Sequence, residues 1–579
     1  MLFKLSFLFS SLEYIVIDEI HNFLGSDRGI QLQSLIHRIK IISSKKVAII
    51  GLSATVSDVN QYSELKFFLG EPNNTKIIRD TTPKPINASF RYFESLTTNL
   101  SLDLLKDLYR ETYNCKALIF PNARGKVEEV AVKLKKISEK VGGHPNFFAH
   151  HSTFDKETRE YVECFAKSQI QQNFTISCTS TLELGIDIGN VEKVIQIDAT
   201  HSIASLVQRI GRSGRREGKS SNLVLYSTNS WSLLQSVASW LLYQEQFIEP
   251  IFVNKKPYDV LLHQILSIVK STSGITIELM IKKLIINPSF LEIKSEEIVE
   301  LINHLIGIEF LEKIGDEIIL GIDAEPLVNT KDFYSLFKTE TFFRVVNSGN
   351  KIGELPLSPQ LVKDKNIFLS AKIWKIKDID FKSKKIEVIP ANDGEKPQFF
   401  GNGADVSWEI RSKMLEVLYT TENYKFLDEN SQSSLSEKRT FFKDFDINYI
   451  NKEKNKLKKE KKQVLYTFSS TKINKTILFI LKLNNIEGQL QENESSITIN
   501  SLEYSTDEIS AILTNFDMKE IDKRLQLILA FDEGLQMLDF SKWAVHLPIQ
   551  MQVDLIKSRY FDFNGVKNFG ETITFVKQK

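Results

Sequence analysis

Two acidic residues and a histidine directly follow an apolar run near the start of the chain, and they are the first candidates for chemistry. The run Tyr14-Ile-Val-Ile17 is followed by Asp18, Glu19 and His21. In open α/β sheets, ligands lie beyond the carboxyl ends of the strands, so both carboxylates would project toward a bound nucleotide. An aspartate there can hold Mg²⁺, and the adjacent glutamate can orient and deprotonate a water molecule. A solvated acidic loop is the alternative interpretation of these residues taken alone.

A second candidate is an arginine-rich segment with a fixed spacing. Arg209, Arg212 and Arg215 recur at every third position, and Gly211 and Gly214 lie among them. Guanidinium groups at this density suit the clamping of phosphates and the stabilisation of a phosphoryl-transfer transition state. The glycines allow the backbone to approach closely. A solvated basic helix face is the less favoured alternative, because such a face does not need glycines in phase with arginines.

A third candidate is a pair of hydroxyl residues after another apolar run. Ser53-Ala-Thr55 follows Val47-Ala-Ile-Ile-Gly-Leu52. Hydroxyl residues at a strand end often cap the following helix, and in isolation this structural interpretation is preferred.

The elements that must position these residues are strands alternating with helices. The apolar runs at 14–17 and 47–52 predict buried parallel strands, with a helix from Ile30 to Ile42 between them. A linker with two prolines at 79–85 closes this first unit, which covers residues 1–80. Residues 86–230 repeat the pattern, with strands predicted at 116–120, 174–178, 194–197 and 222–226. This order predicts an α/β fold with doubly wound parallel sheets.

The pattern changes in the second half of the chain. A helical linker is expected at 231–255, followed at 256–325 by three helices and a hairpin that turns at Gly315-Asp316, which is a winged-helix order. Residues 330–405 are rich in strand and turn residues and predict a small β domain. Residues 406–579 predict a mixed α/β domain.

Composition excludes some classes of protein and leaves others open. The chain has 579 residues, with 74 Lys+Arg against 73 Asp+Glu, so nucleic-acid binding has to be argued from local patches. Cys115, Cys164 and Cys178 form no close pair, which argues against a zinc site or a disulfide framework. No apolar run of about 18 residues predicts a membrane span, and we expect a cytoplasmic protein without a membrane partner. The lysine-rich run 452–462 is a solvated stretch or adds nonspecific nucleic-acid affinity.

The order of these motifs resembles superfamily 2 DEAD/DEAH-box helicases, and most closely the Lhr-like (large helicase-related) group. Asp18-Glu-Ile-His21 matches the DExH box, and Ser53-Ala-Thr55 matches the motif that couples hydrolysis to strand separation. Motifs IV, V and VI are matched by Phe120-Pro-Asn-Ala-Arg124, by residues 179–187, and by Gln208-Arg-Ile-Gly-Arg-Ser-Gly-Arg215. The resemblance implies two RecA-like lobes, the first of them truncated, then a winged helix, a β-rich domain and a mixed α/β domain.

The resemblance also implies ligands and roles. The ligands are ATP, Mg²⁺ and a single-stranded tracking strand, expected to be DNA. Asp18 would hold Mg²⁺, Glu19 would activate water, and Arg212 and Arg215 would be arginine fingers. The other site residues that the resemblance implies are, at the nucleotide, His21, Gly185, Asp187, Gln208 and Arg209, and, for coupling and strand contact, Ser53, Thr55, Arg124, His151 and Thr179.

One part of the family pattern is missing. A phosphate-binding loop of the form G-x-x-x-x-G-K-[ST] should precede the DExH strand. The nearest match, Ser213-Gly-Arg-Arg-Glu-Gly-Lys-Ser220, has serine at the first glycine position and lies in motif VI. We therefore expect a fragment, or half of a split enzyme whose partner chain supplies the loop, or a degenerate helicase retained for binding. The contrasting hypothesis is a non-catalytic nucleic-acid-binding or scaffold protein.

Overall fold

The computed structural model describes residues 6–70, 73–80, 82, 85–95, 99–154, 156–168, 171–183, 188–189, 191–214, 220–336, 342–356, 363–369, 372–381, 383–391, 405–443, 449–454, 461–500, 504–572 and 576–577.

The first lobe is built on a two-stranded parallel sheet. Strands β1 (Tyr14–Ile17) and β2 (Ala48–Gly51) pair in parallel and are connected by helix α1 (Asp27–Ile42). Helix α2 (Ser63–Leu69) follows. Ser26 begins α1, because its hydroxyl accepts a hydrogen bond from the backbone N–H of Gly29.

The expectation that both strands of this lobe are buried is wrong for one face of the sheet. Ile17 is 6% exposed and packs with Ile20 and Ile36, whereas Tyr14 is 61% and Val16 59% exposed. Successive strand side chains point to opposite faces, so a fully buried strand needs a packed layer on both sides. Among the described residues, only one face of this sheet has such a layer.

The second lobe is a six-stranded, all-parallel sheet. Its strands are β3 (Ile86–Tyr92), β4 (Lys116–Pro121), β5 (Phe147–His150), β6 (Phe174–Cys178), β7 (Lys193–Ile197) and β8 (Ser221–Ser227). They lie in the order β3-β8-β7-β4-β6-β5. The helices are α3 (Leu102–Thr112), α4 (Arg124–Val141), α5 (Lys156–Ser168), α6 (Ile203–Ile210) and α7 (Ser230–Gln244). The four predicted strands are confirmed, and β3 and β5 are additional.

The segment predicted as a helical linker contributes to this lobe. Leu233, Leu234 and Val237 of α7 are almost fully buried and belong to the hydrophobic core of the second lobe. The helix is therefore a layer of the lobe, and the extended stretch after residue 246 is the connection to the next unit.

Three helices and a small sheet follow, in a winged-helix arrangement. The elements are α8 (Tyr258–Thr272), β9 (Ile275–Thr276), α9 (Ile277–Ile285), α10 (Ser295–Gly307), β10 (Leu311–Ile314), β11 (Glu317–Leu320) and α11 (Ala324–Val328). The strands pair in the order β10-β11-β9, and the predicted turn at Gly315-Asp316 joins β10 to β11. Gly315 has a φ of 59°, which favours glycine at that position.

The β-rich unit is a five-stranded sheet in the order β13-β12-β16-β15-β14. Its strands are β12 (Phe342–Asn347), β13 (Asn350–Pro356), β14 (Asn366–Leu369), β15 (Lys372–Asp380) and β16 (Lys385–Pro390). Phe343, Val345, Ile376 and Ile386 form its small core.

The remaining elements form a mixed α/β unit with a five-stranded sheet in the order β19-β20-β18-β17-β21. Its strands are β17 (Tyr449–Lys454), β18 (Lys461–Tyr466), β19 (Gly488–Gln491), β20 (Ser496–Ile499) and β21 (Val576–Lys577). Its helices are α12 (Trp408–Tyr419), α13 (Glu429–Phe442), α14 (Thr471–Leu483), α15 (Thr506–Thr514), α16 (Met518–Leu529), α17 (Asp532–Leu535), α18 (Ile549–Tyr560) and α19 (Phe563–Thr572). Residues 455–460 of the lysine-rich run lie outside the described residues. In the part of the chain that the structure describes, no helix is both long and apolar enough to cross a membrane.

Candidate active site between the two lobes

The acidic pair lies in a tight turn at the carboxyl end of β1. Glu19 has a φ of 48°, and its backbone N–H donates to Oδ1 of Asp18 at 2.9 Å. The N–H of Ile20 donates to the carbonyl of Leu52 at 2.9 Å, and the N–H of Leu52 donates to the carbonyl of Ile17 at 2.9 Å. These bonds tie the turn to the end of β2. They bring the acids next to the Ser53-Ala-Thr55 segment, as the parallel pairing of the strands requires.

His21 joins this turn to the second lobe. Its Nδ1 lies 2.8 Å from the hydroxyl of Ser53, and its Nε2 lies 2.6 Å from the side-chain amide nitrogen of Gln208. The same amide also donates to Oγ1 of Thr55 at 3.4 Å. Burial lowers the pKa of His21 despite the nearby Glu19, which favours a neutral ring. A neutral ring accepts at Nε2 from Gln208 and donates at Nδ1, so predicted site residues from three motifs meet here.

Arg209 and Arg212 both bind Glu183, inside the second lobe. The Nε of Arg209 donates to Oε1 of Glu183 at 2.7 Å, and its guanidinium lies 5.1 Å from the centroid of the Phe120 ring. Arg212 donates to the backbone carbonyl of Glu183. Arg209 is 8% and Arg212 5% exposed. The structure thus holds motif VI against the loop that follows β6.

Glu183 is a functional candidate that the sequence reasoning missed. It is 6% exposed, and its Oε2 also accepts from the hydroxyl of Ser205 at 3.1 Å. The only signal in the sequence is an acid within Thr179-Ser-Thr-Leu-Glu-Leu, a motif that has to face an arginine-rich helix. A buried carboxylate needs a cation or several donors, and Arg209 and the hydroxyl of Ser205, both on α6, supply them.

Three predicted site residues cannot be placed. Gly185, Asp187 and Arg215 lie outside the described residues. Their roles stay predictions.

The predicted strand contacts lie along one edge of the second sheet. Arg124 is the first residue of α4, directly after β4, and Thr179 follows β6. Because β4 and β6 are neighbouring parallel strands, both residues lie at the same carboxyl edge. Both are partly exposed. A strand that crosses this edge can contact both.

His151 lies in the interior. It is 1% exposed, its Nε2 lies 3.0 Å from Oε1 of Glu128, and its Nδ1 lies 2.7 Å from the hydroxyl of Thr153. The neighbouring His150 contacts the motif V residue Thr181 at 2.9 Å. These histidines hold the loops at the carboxyl edge, and any effect of His151 on a bound strand passes through that scaffold.

The acidic turn has the chemistry of a magnesium site. Mg²⁺ is usually held by one or two carboxylates together with waters and substrate phosphates. The Asp18 side chain is exposed at the end of β1 and offers its carboxylate oxygens as metal ligands. In the described residues, no group of three or more His, Cys, Asp or Glu side chains could hold a metal ion, so waters and phosphate oxygens would complete the coordination.

Two parallel-sheet lobes whose facing loops carry a DExH box and an arginine-rich motif VI resemble the core of a superfamily 2 helicase. Family models agree with this class. The DEAD/DEAH box helicase family matches residues 1–62, and the helicase conserved C-terminal domain matches residues 100–217.

Individual proteins that are similar to this chain come from the Lhr-like group. The chain is 32% identical over 273 residues to the ATP-dependent helicase Lhr-Core of Saccharolobus solfataricus, which covers 46% of this chain and 31% of that protein. It is 34% identical over 270 residues to the Lhr-Core of Methanocaldococcus jannaschii, covering 45% and 30%. The match thus spans less than a third of the length of these relatives. The resemblance to Lhr-like superfamily 2 helicases is confirmed.

A solved structure agrees with the fold over almost the whole chain. The Mycobacterium smegmatis helicase Lhr, bound to single-stranded DNA and AMP-PNP, superposes with a TM-score of 0.70 at 17% identity. The match covers 99% of this chain and 79% of that one. At this identity the likeness shows the fold, and it confirms the predicted fold class.

Proposed function

We propose that the two lobes form the core of an ATP-dependent helicase that moves along single-stranded nucleic acid, with DNA as the expected strand. The contact between His21 and Gln208 carries this proposal, because it joins the DExH box of one lobe to motif VI of the other. A nucleotide bound in such a crevice touches both lobes, so its hydrolysis is linked to their relative motion.

In the proposed reaction, Glu19 orients the attacking water and accepts its proton. Asp18 would hold Mg²⁺, which neutralises phosphate charge when it is bound. His21, with a neutral ring, accepts a hydrogen bond from Gln208, so a movement of the first lobe changes this hydrogen bond. Ser53 is hydrogen-bonded to His21, and Thr55 to Gln208. Through these bonds the two hydroxyl residues couple the His21–Gln208 contact to the bound nucleic-acid strand.

The arginines have two different roles in this proposal. Arg212 and Arg215 stabilise charge on the γ-phosphoryl group, and Gly185, Asp187 and Gln208 line the nucleotide. Arg212 has to leave the carbonyl of Glu183 before it can reach a phosphate, so lobe closure includes a rearrangement of that side chain. Arg209 acts through its ion pair with Glu183, which fixes motif VI, and is a positioning residue.

Turnover also needs a phosphate-binding loop, and the sequence contains no segment of that form. We propose that a phosphate-binding segment, in the same protein or in a partner chain, completes the nucleotide site. The exposed apolar face of β1 and β2 supports a docking site for it, because Tyr14, Val16 and Ile50 lie open there.

The test compares this chain alone with a fusion that carries a phosphate-binding first-lobe segment ahead of Met1. We expect background ATP turnover for the chain alone and DNA-stimulated turnover for the fusion. Glu19→Gln in the fusion should abolish turnover and leave oligo(dT) binding intact. Turnover that Glu19→Gln does not affect would contradict the assigned role of Glu19.

The second candidate is a non-catalytic strand-binding or scaffold protein. It rests on the strand-side residues Arg124 and Thr179, which lie at one edge of the second sheet whether or not ATP is hydrolysed. Oligo(dT) binding by a fusion that never hydrolyses ATP would support this second function over the first.

A further inference from the structure

The loop that follows the DExH box is held by the far end of the chain. After His21 the backbone reaches α1 through Gly25, Ser26 and Asp27. Oδ2 of Asp27 accepts a hydrogen bond from a guanidinium nitrogen of Arg559 at 2.9 Å, across 532 positions of sequence. The Asp27 side chain is 14% and the Arg559 side chain 40% exposed, so this ion pair is partly shielded from water.

The guanidinium of Arg559 has one further contact, and a buried acid lies in its electrostatic environment. It lies 4.1 Å from the centroid of the Phe540 ring, within cation–π distance. Asp259 of α8, which is 1% exposed, interacts electrostatically with both Asp27 and Arg559. One of its oxygens, Oδ2, has no hydrogen-bond partner among the described residues. Arg559 is therefore held by an acid of the first lobe and by an aromatic ring of the C-terminal unit.

A second path connects the same loop to the same helix end. Gly25 has a φ of 67°, and a Cβ built on it would lie 2.4 Å from Cγ2 of Ile251 and 2.5 Å from the carbonyl oxygen of Phe252. Residues 251–252 therefore lie in close contact with the loop at Gly25. The ammonium of Lys472 lies 4.3 Å from the centroid of the Phe252 ring and donates to the carbonyl of Ser558 at 3.1 Å. Both paths end at neighbouring residues, Ser558 and Arg559, near the end of α18.

We propose that the end of α18 is a brace for the DExH loop, and that Arg559 is the positioning residue that sets where Asp18, Glu19 and His21 lie. The helix α1 begins at Asp27, so a fixed Asp27 fixes the exit of the loop. The close approach of Gly25 to residues 251–252 leaves no space for the loop to shift toward them. This gives the C-terminal unit, which sequence patterns left without a role, a function in the geometry of the acidic turn. The brace does not depend on ATP turnover.

Hydrogen–deuterium exchange of the 579-residue chain tests the brace directly. In Arg559→Ala we expect the backbone amides of residues 19–26 to exchange roughly fivefold faster, while those of β4 and β6 keep their rate. Arg559→Lys should recover part of the protection, because it restores the charge without the planar fork. The control is Arg524→Ala, which removes an exposed pair with Glu520 on α16 and should change nothing in residues 19–26.

A charge-reversal pair separates positioning from general destabilisation. Arg559→Asp should accelerate exchange at residues 19–26, and adding Asp27→Arg should slow it again. If Arg559→Ala does not fold, Asp27→Asn removes the same ion pair and decides the question. Unchanged exchange at residues 19–26 in these variants, or a rise of equal size across the second lobe, overturns the proposal.

Discussion

The two lobes contain strands of similar apolar character but bury them to different extents. In β4 of the second lobe, Leu118 and Ile119 are 0% exposed and belong to two separate hydrophobic clusters. In β1 of the first lobe, Tyr14 and Val16 are 61% and 59% exposed. β4 has a packed layer on both faces of its sheet, whereas the described residues cover only one face of β1. The burial of a strand depends on how many elements surround it, and its own residues do not determine that number.

The largest difference in the cost of a substitution, measured as unfolding free energy, should appear when an ion pair is removed from each lobe. Glu183→Ala leaves Arg209 buried without its main partner and should cost about 3–5 kcal/mol of unfolding free energy. Arg79→Ala removes an exposed pair with Asp58 at 3.2 Å beside the first lobe and should cost less than about 0.5 kcal/mol. Urea denaturation followed by the fluorescence of Trp231 and Trp240 measures the first of these, and circular dichroism the second. Equal costs would remove the contrast.

Truncating strand side chains should show the same contrast on a smaller scale. Leu118→Ala opens a cavity in the middle of the sheet and should cost about 2–4 kcal/mol. Val16→Ala changes an exposed position and should cost less than about 0.5 kcal/mol. Both variants can be measured by chemical denaturation. A cost above about 1.5 kcal/mol for Val16→Ala would mean that its face of the sheet is covered.

The contribution of Asp259, on α8, to the folding stability should depend on pH. Burial, followed by the charge of Asp27, raises the pKa of Asp259 from 3.8 to about 6, so the folded state favours the protonated acid. Its contribution to stability is complete below pH 4 and is lost as the pH rises through 6. A rise of about 2 units corresponds to about 3 kcal/mol at most. Asp259→Asn should therefore become more stable relative to the parent between pH 4 and 7, measured by thermal unfolding; a pH-independent difference would contradict this.

The smallest effect concerns strand binding by the second lobe. Arg124→Ala should weaken oligo(dT) binding roughly fivefold and reduce the slope of log Kd against log salt by about one. Arg110→Ala, at the exposed end of α3, is the matched control and should leave binding unchanged. Fluorescence anisotropy at several salt concentrations measures both. Equal weakening in both variants would indicate a diffuse electrostatic effect.

Much of the site could be predicted from the sequence because its signals are local. The strand ends that carry Asp18, Ser53 and Thr179 follow apolar runs, and parallel pairing then brings such ends to one edge of a sheet. The winged-helix turn at Gly315 is also a local signal.

The remaining features depend on contacts between distant parts of the chain. Nothing near Glu183 indicates that it is the partner of Arg209, since that partnership exists only after β6 and α6 have packed. The pair of Asp27 and Arg559 joins positions 532 residues apart. The exposed face of β1 likewise depends on whether another layer packs on it, which a single apolar run does not specify.

The central claim is that the DExH turn of one lobe and motif VI of the other meet across a crevice. Cysteines at positions 21 and 208, in a chain whose three native cysteines are replaced by serine, test it by reaction with a flexible bismaleimide crosslinker, because two long side chains that touch at their tips leave the backbones too far apart for a disulfide. A pair at 146 and 172, whose side chains lie 3.3 Å apart on the surface, is the positive control. The account predicts that the 21–208 pair crosslinks within the same time as the control. A control that crosslinks while the 21–208 pair stays unlinked would contradict it.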